Sequence, residues 1–134
     1  MNEQSPVSEY LVLSRGQWDK DASKEDIESA IQKFYGWYER NLNDGRMKAG
    51  SRLSVDRAVV SKAGIVTDGP FGEAKEVVGG YWFIMARSLH EGAELAALNP
   101  CVQFGLTFEI RPLESARASV YSITNENPAG ASLT

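Results

Sequence analysis

The residues richest in chemistry lie within VTDGPFGEAKEVVGGYWF, residues 66–83. Asp68, Glu73, Lys75 and Glu76 bring carboxylates and an ammonium group together just ahead of Tyr81 and Trp82. Such a set can move a proton, polarise a carbonyl or hold a small organic acid. Asp68 is the first candidate for acid–base work, with Glu73 or Lys75 as its catalytic partner. Glu76, Tyr81 and Trp82 are candidates for ligand binding. The connection is longer than two neighbouring strands need, and generous connections often carry function. The same residues also have a structural use. Asp-Gly is a hairpin signal, but Pro70 follows at once and cannot donate to a ladder. A type I turn over residues 69–72 fits better, with Asp68 just before it accepting backbone N–H groups. On that reading Asp68 braces a corner, Phe71 plugs the core, and Glu73, Lys75 and Glu76 are solvated.

Other candidates are sparse. Trp18 follows the first apolar run and either lines the same cleft or lids the core. Arg52 stands at the start of a later strand, where it can bind a carboxylate or simply be solvated. The chain has one histidine and one cysteine, His90 and Cys101. Neither has acids around it at ligand spacing, so no metal site is expected, and no cofactor motif is present. His90 falls in the first turn of a helix and reads as a surface residue. Cys101 has no histidine near it in sequence and reads as a small apolar filler, not a nucleophile.

Bulk properties narrow the class. A chain of 134 residues fits one domain, and at that size roughly two-thirds of the unfolded surface can be buried. Hydrophobic residues make up 43% and charged residues 24%, ordinary for a globular protein. The net charge of −4 argues against a nucleic-acid partner, which needs a positive footprint. No apolar run approaches the roughly 20 residues of a membrane helix. With a lone cysteine and no signal-like segment, the expected compartment is the cytoplasm.

The elements that must position these residues follow from periodicity. Residues 1–7 read as a flexible N-terminus. Residues 9–15, EYLVLSR, form a short central strand. Ser23 caps a helix whose stripe is Ile27, Ile31, Phe34, Tyr38 and Leu42, with Gly45 as a left-handed stop and Gly36 a place for close approach. In the next segment Leu53, Val55 and Val59 alternate as in a half-buried strand, and residues 62–64 turn into a short return strand, 65–67. Residues 78–87 form an interior strand, with Tyr81, Phe83 and Met85 on one face and Trp82, Ile84 and Ala86 on the other. Ser88 and Glu91 form a capping box for a second helix, 89–98, packing through Leu89, Ala93, Ala96 and Ala97. The last strand is 103–111, and residues 115–134 form a tail with one short extended piece at 119–123. The order β-α-β-β-α-β is that of a ferredoxin-like α+β fold: a four-stranded antiparallel sheet with two helices on one face. The other sheet face has no cover from this chain, and a homodimer closed through it is the simplest remedy.

The stretch from Asp68 through the Gly79-Gly80-Tyr81 run resembles the YCII-related family, in the branch known by its Asp-Gly-Pro-Phe (DGPF) motif. Asp68, Gly69, Pro70, Phe71, Glu73, Lys75, Glu76, Gly79, Gly80 and Tyr81 carry the likeness, and FEIRPLE near the end of the domain extends it. It spans about residues 8–114. The resemblance implies a cytoplasmic bacterial protein with a dimeric α+β barrel. It leaves biochemical function open: a lyase-, isomerase- or dehalogenase-like enzyme on a small organic acid, or a non-catalytic ligand-binding or regulatory module linked to sigma factors. One branch of the family carries a histidine–aspartate pair, which His90, on the second helix, cannot supply.

Overall fold

The computed structural model describes residues 6–67 and 77–129. Its elements are β1 (Ser8–Arg15), α1 (Lys24–Asn43), β2 (Met47–Arg52), β3 (Val59–Ser61), β4 (Gly64–Val66), β5 (Val78–Ala86), α2 (Leu89–Ala96) and β6 (Thr107–Pro112), with a 3-10 turn at Pro100–Phe104 before β6. The main sheet has strand order β2-β5-β1-β6, and each neighbouring pair is antiparallel. That order, with α1 and α2 as the two crossovers, is ferredoxin-like. β1 and β5 are the two interior strands, as their apolar content requires.

The helices start where the sequence places their caps. Ser23 accepts from the Asp26 N–H at 3.0 Å, and Ser88 accepts from the Glu91 N–H at 3.0 Å. Glu91 reaches back past the cap itself, accepting from the Arg87 N–H at 2.7 Å. Beyond the first helix, Gly45 adopts φ 77. On the helix side of the sheet, Val12 and Ile84 are fully buried, and Tyr10, Trp82 and Ala86 nearly so. They pack with Trp37, Met47, Leu95 and Ala96 into one core.

Several elements depart from the periodic reading. In α1 the buried residues are Ala30, Trp37 and Asn41, while Ile27, Ile31, Phe34, Tyr38 and Leu42 are only half-buried. The helix meets the sheet along a line turned from the expected stripe, which leaves Ile31, Phe34 and Tyr38 beside a cavity. Gly36 is not a close approach: a Cβ there would find Arg40 Nη1 at 3.6 Å as its nearest contact. Leu53 and Val55 are not in a strand and are exposed. β5 supplies the reason. Its ladder with β2 ends at the Arg52–Gly80 pair and the Leu53 N–H bond to the Gly79 carbonyl, and among the described residues the chain beyond has no partner edge. The strand begins earlier instead, at Met47, in the polar run MKAGSR. The turn over residues 62–63 and the return strand form as expected, joining Val59–Ser61 to Gly64–Val66 in a separate two-stranded sheet.

α2 is shorter than its pattern and packs through Gly92, Leu95 and Ala96; Leu89 is exposed. β6 starts at Thr107 because Asn99 caps a 3-10 turn led by Pro100, and Gly105, at φ 110, ends it. Gln103 and Phe104 therefore belong to the turn. Residues 119–123 form no strand; that segment is a turn in which Asn127 Nδ2 donates to the Val120 and Ser122 carbonyls.

The sheet face away from the helices carries Leu11, Leu13, Tyr81, Phe83 and Met85, opposite in alternation to Val12, Trp82 and Ile84. Cross-strand pairs set Leu11 beside Phe83 and Leu13 beside Tyr81. Ion pairs frame this apolar centre: Glu9 with Lys48 at 2.9 Å, and Glu109 with both Arg15 and Arg111.

Candidate functional site

A cavity of about 390 Å³ opens between α1 and one end of the sheet. That is the lower part of the range for small-molecule sites, roughly 300–1,000 Å³. α1 contributes Ile31, Phe34, Tyr35 and Tyr38; β1 and the chain after it contribute Ser14 and Trp18; β2 contributes Gly50, Ser51 and Arg52. Gly79, Gly80, Tyr81 and Trp82 of β5 close one wall, and Cys101, Leu106 and Phe108 another.

Local sequence explains this wall. Residues 34–38, FYGWY, hold more rings than one helix face can bury. Trp37 goes to the core, and Phe34, Tyr35 and Tyr38 turn to the cavity. Phe34 stacks on Tyr38 at 5.4 Å and 14°, and both rings meet Trp82, at 5.4 and 5.7 Å. Phe108 meets Trp82 from β6 at 5.7 Å. Ring pairs of this kind contribute about 0.5–1.5 kcal/mol each beyond the area they bury. The buried Trp82 indole N–H has no acceptor among the described residues.

β2 and β5 approach unusually closely here. A Cβ on Gly50 would lie 2.0 Å from the Tyr81 carbonyl oxygen, and one on Gly80 would lie 2.9 Å from the Ser51 carbonyl oxygen. The register between the strands shifts between Lys48 and Ser51 at the same point, as in a β-bulge, a device that re-aims side chains near functional sites. The bulge is tied to α1 by a hydrogen bond from the Gly50 N–H to the Tyr38 hydroxyl oxygen, 3.2 Å.

The electrostatics are one-sided. Arg52 is exposed at the cavity edge, and no carboxylate among the described residues pairs with it. No Asp or Glu appears among the described lining residues. The Cys101 thiol is buried and donates weakly to the Ala30 carbonyl at 3.8 Å. Burial pushes its pKa up from the ordinary 9.0 to about 11, so it stays a neutral thiol at physiological pH and is a poor nucleophile. His90 is exposed on α2 and pairs with Glu94 at 3.3 Å, away from the cavity. No group of three His, Cys, Asp or Glu side chains among the described residues could hold a metal ion.

The structure brings together Trp18, Arg52, Tyr81 and Trp82, the binding candidates within the described residues. Tyr81 belongs to the cavity wall, but its ring makes an edge contact with Phe83 at 6.0 Å on the sheet face away from the helices. Asp68, Glu73, Lys75 and Glu76 lie outside the described residues, as does the turn at 69–72. The cavity lining also includes residues to which the sequence reading gave no binding role: Phe34, Tyr35, Tyr38 and Phe108. The excess of rings in FYGWY was the available signal.

The chain matches the YCII-related domain over residues 9–115. The protein belongs to the YCII-related family. No curated protein matches the chain. This YCII-related protein sets a four-stranded sheet and two helices around an aromatic cavity whose described lining includes one arginine, Arg52, and no acid. Among the described residues, no helix is long and apolar enough to cross a membrane.

Proposed function

We propose that this protein binds a small organic acid in the aromatic cavity, with Arg52 holding the anionic group, and that it belongs to the Asp-Gly-Pro-Phe branch of its family. The observation that carries the reading is Arg52, without a carboxylate partner among the described residues, at the edge of a cavity whose described lining offers no carboxylate. A guanidinium beside apolar walls favours a planar anion, which it can meet with two parallel hydrogen bonds. Titration of a panel of small carboxylic acids by calorimetry tests it. At least one acid binds the wild type, and Arg52→Gln weakens that acid roughly tenfold or more. Uniform failure of the panel, or equal binding by the variant, overturns the reading.

An enzymatic reading has one observation in its favour. The chain leaving residues 68–76 is bonded to the end of β1, where the Gly16 N–H donates to the Val77 carbonyl at 2.9 Å, and two residues later Gly79 is cavity wall. Acid–base work would then fall to Asp68, with Glu73 or Lys75. Asp68→Asn that keeps the fold and acid binding but abolishes turnover of a bound acid supports catalysis; loss of the fold assigns Asp68 to the turn.

The assembly we propose for the half-buried sheet face away from the helices is a homodimer. Its apolar centre of Leu11, Leu13, Phe83 and Met85 with ionic edges has the core-and-rim form of protein interfaces. Both signs of charge stand on that rim, so a second copy related by a two-fold axis can offer acids to bases.

A further inference from the structure

Resting on the organic-acid reading above, we propose that the cavity selects an aromatic acid, and that Tyr38 is the specificity-determining donor to the carboxylate held by Arg52. The Tyr38 oxygen already accepts the Gly50 N–H at 3.2 Å. A phenol has one proton to give, and no described group accepts it. Tyr38 lines the cavity, so a group that enters can supply the acceptor for that proton. Gly50 and Arg52 stand on the same strand end, two positions apart, so the pinned hydroxyl and the guanidinium serve one region of the cavity. Two donors and no described carboxylate there select an acceptor-only group, which a carboxylate is and an amine is not. An accepted N–H also polarises the phenol and strengthens its donation.

The ring preference comes from the walls. Phe34, Tyr38, Trp82 and Phe108 hold one another at fixed tilts, with centroid separations of 5.4 to 5.7 Å. A rigid wall of ring faces and edges favours a flat guest with its own quadrupole over a puckered saturated ring of similar size. Because the wall is set by core packing, it does not reshape around the guest.

The test is calorimetry with phenylacetate, cyclohexylacetate and phenylacetamide on the wild type, Y38F and R52Q. Phenylacetate is expected to bind the wild type several-fold tighter than cyclohexylacetate and roughly tenfold or more tighter than phenylacetamide. Y38F should weaken phenylacetate roughly tenfold, and its effect should shrink in the R52Q background because both side chains hold one carboxylate. Equal, Arg52-dependent binding of the two acids would overturn the aromatic preference and leave the organic-acid reading standing. Binding of phenylacetate and phenylacetamide alike, insensitive to R52Q, would overturn the organic-acid reading itself. Undiminished binding by Y38F would remove Tyr38 from the site. Because Y38F also strips the Gly50 N–H of its acceptor, wild-type protein with carbon-labelled tyrosine provides an independent readout: the Tyr38 ring carbon bearing the hydroxyl should move on adding phenylacetate, and an unmoved resonance overturns its role.

Discussion

Gly50 and Gly80 set the spacing of β2 and β5 beside the cavity. At Gly50 there is no room for a methyl group, because the obstacle at 2.0 Å is backbone. Gly50→Ala should therefore destabilise the protein by roughly 3 kcal/mol, read as a lower urea midpoint. Gly36→Ala is the contrast. Its Cβ would meet nothing nearer than the flexible end of Arg40 at 3.6 Å, and the gain in helix propensity should stabilise by about 0.5–1 kcal/mol. Cys101 makes a prediction in pH. Its folded pKa, about 11, lies above the ordinary 9.0 expected of the unfolded chain, so the folded state holds its proton more tightly. The contribution to stability is whole below pH 9.0 and is lost as the pH rises from there to about 11. Cys101→Ser should flatten that part of the stability profile, and a wild-type profile already flat there would contradict the assignment.

At the scale of elements, caps and edges dominate. Ser88 satisfies the Glu91 N–H and works with the Glu91–Arg87 bond to start a helix of only eight residues. Ser88→Ala should cost about 1 kcal/mol, seen as a lower thermal midpoint. The β3–β4 hairpin stands apart from the main sheet and leaves Val60 and Ile65 73% and 71% exposed, although they are paired across the strands. A lone two-stranded hairpin is marginal in water. Its amides should exchange with solvent orders of magnitude faster than those of β1 and β5, which lie between strands. Comparable protection would mean that something covers the hairpin in solution, such as a second subunit.

At the scale of the whole molecule, the helices cover one face of the sheet, and the proposed homodimer would close on the other. Light scattering should report a dimer, and Phe83→Lys, placing a charge at the centre of the open face beside Leu11, should convert it to a folded monomer. A wild type that is monomeric at tens of micromolar would overturn the dimer. Aromatic-acid binding should survive in the monomer, since the described cavity is built from one chain on the opposite side of the sheet.

Part of this architecture is legible in the residues alone. Ser23, Ser88 and Glu91 act over three or four residues, so their bonds can be read directly from the sequence. The alternation of residues 78–86 also tells which side chains share a face, because a strand has a period of two wherever it lies. From these the element order and the ferredoxin-like fold follow. Other features depend on partners far along the chain. Leu53 and Val55 alternate as a strand should, but among the described residues the ladder with β5 reaches no further than the Leu53 N–H, and no local pattern records where another strand stops. Phe34 and Tyr38 read as part of the helix's apolar stripe, and only the docking of α1 through Ala30, Trp37 and Asn41 turns them toward a cavity. Composition and period settle what a segment becomes; tertiary contact alone decides that Tyr38, Gly50 and Arg52, apart in sequence, gather around one small space.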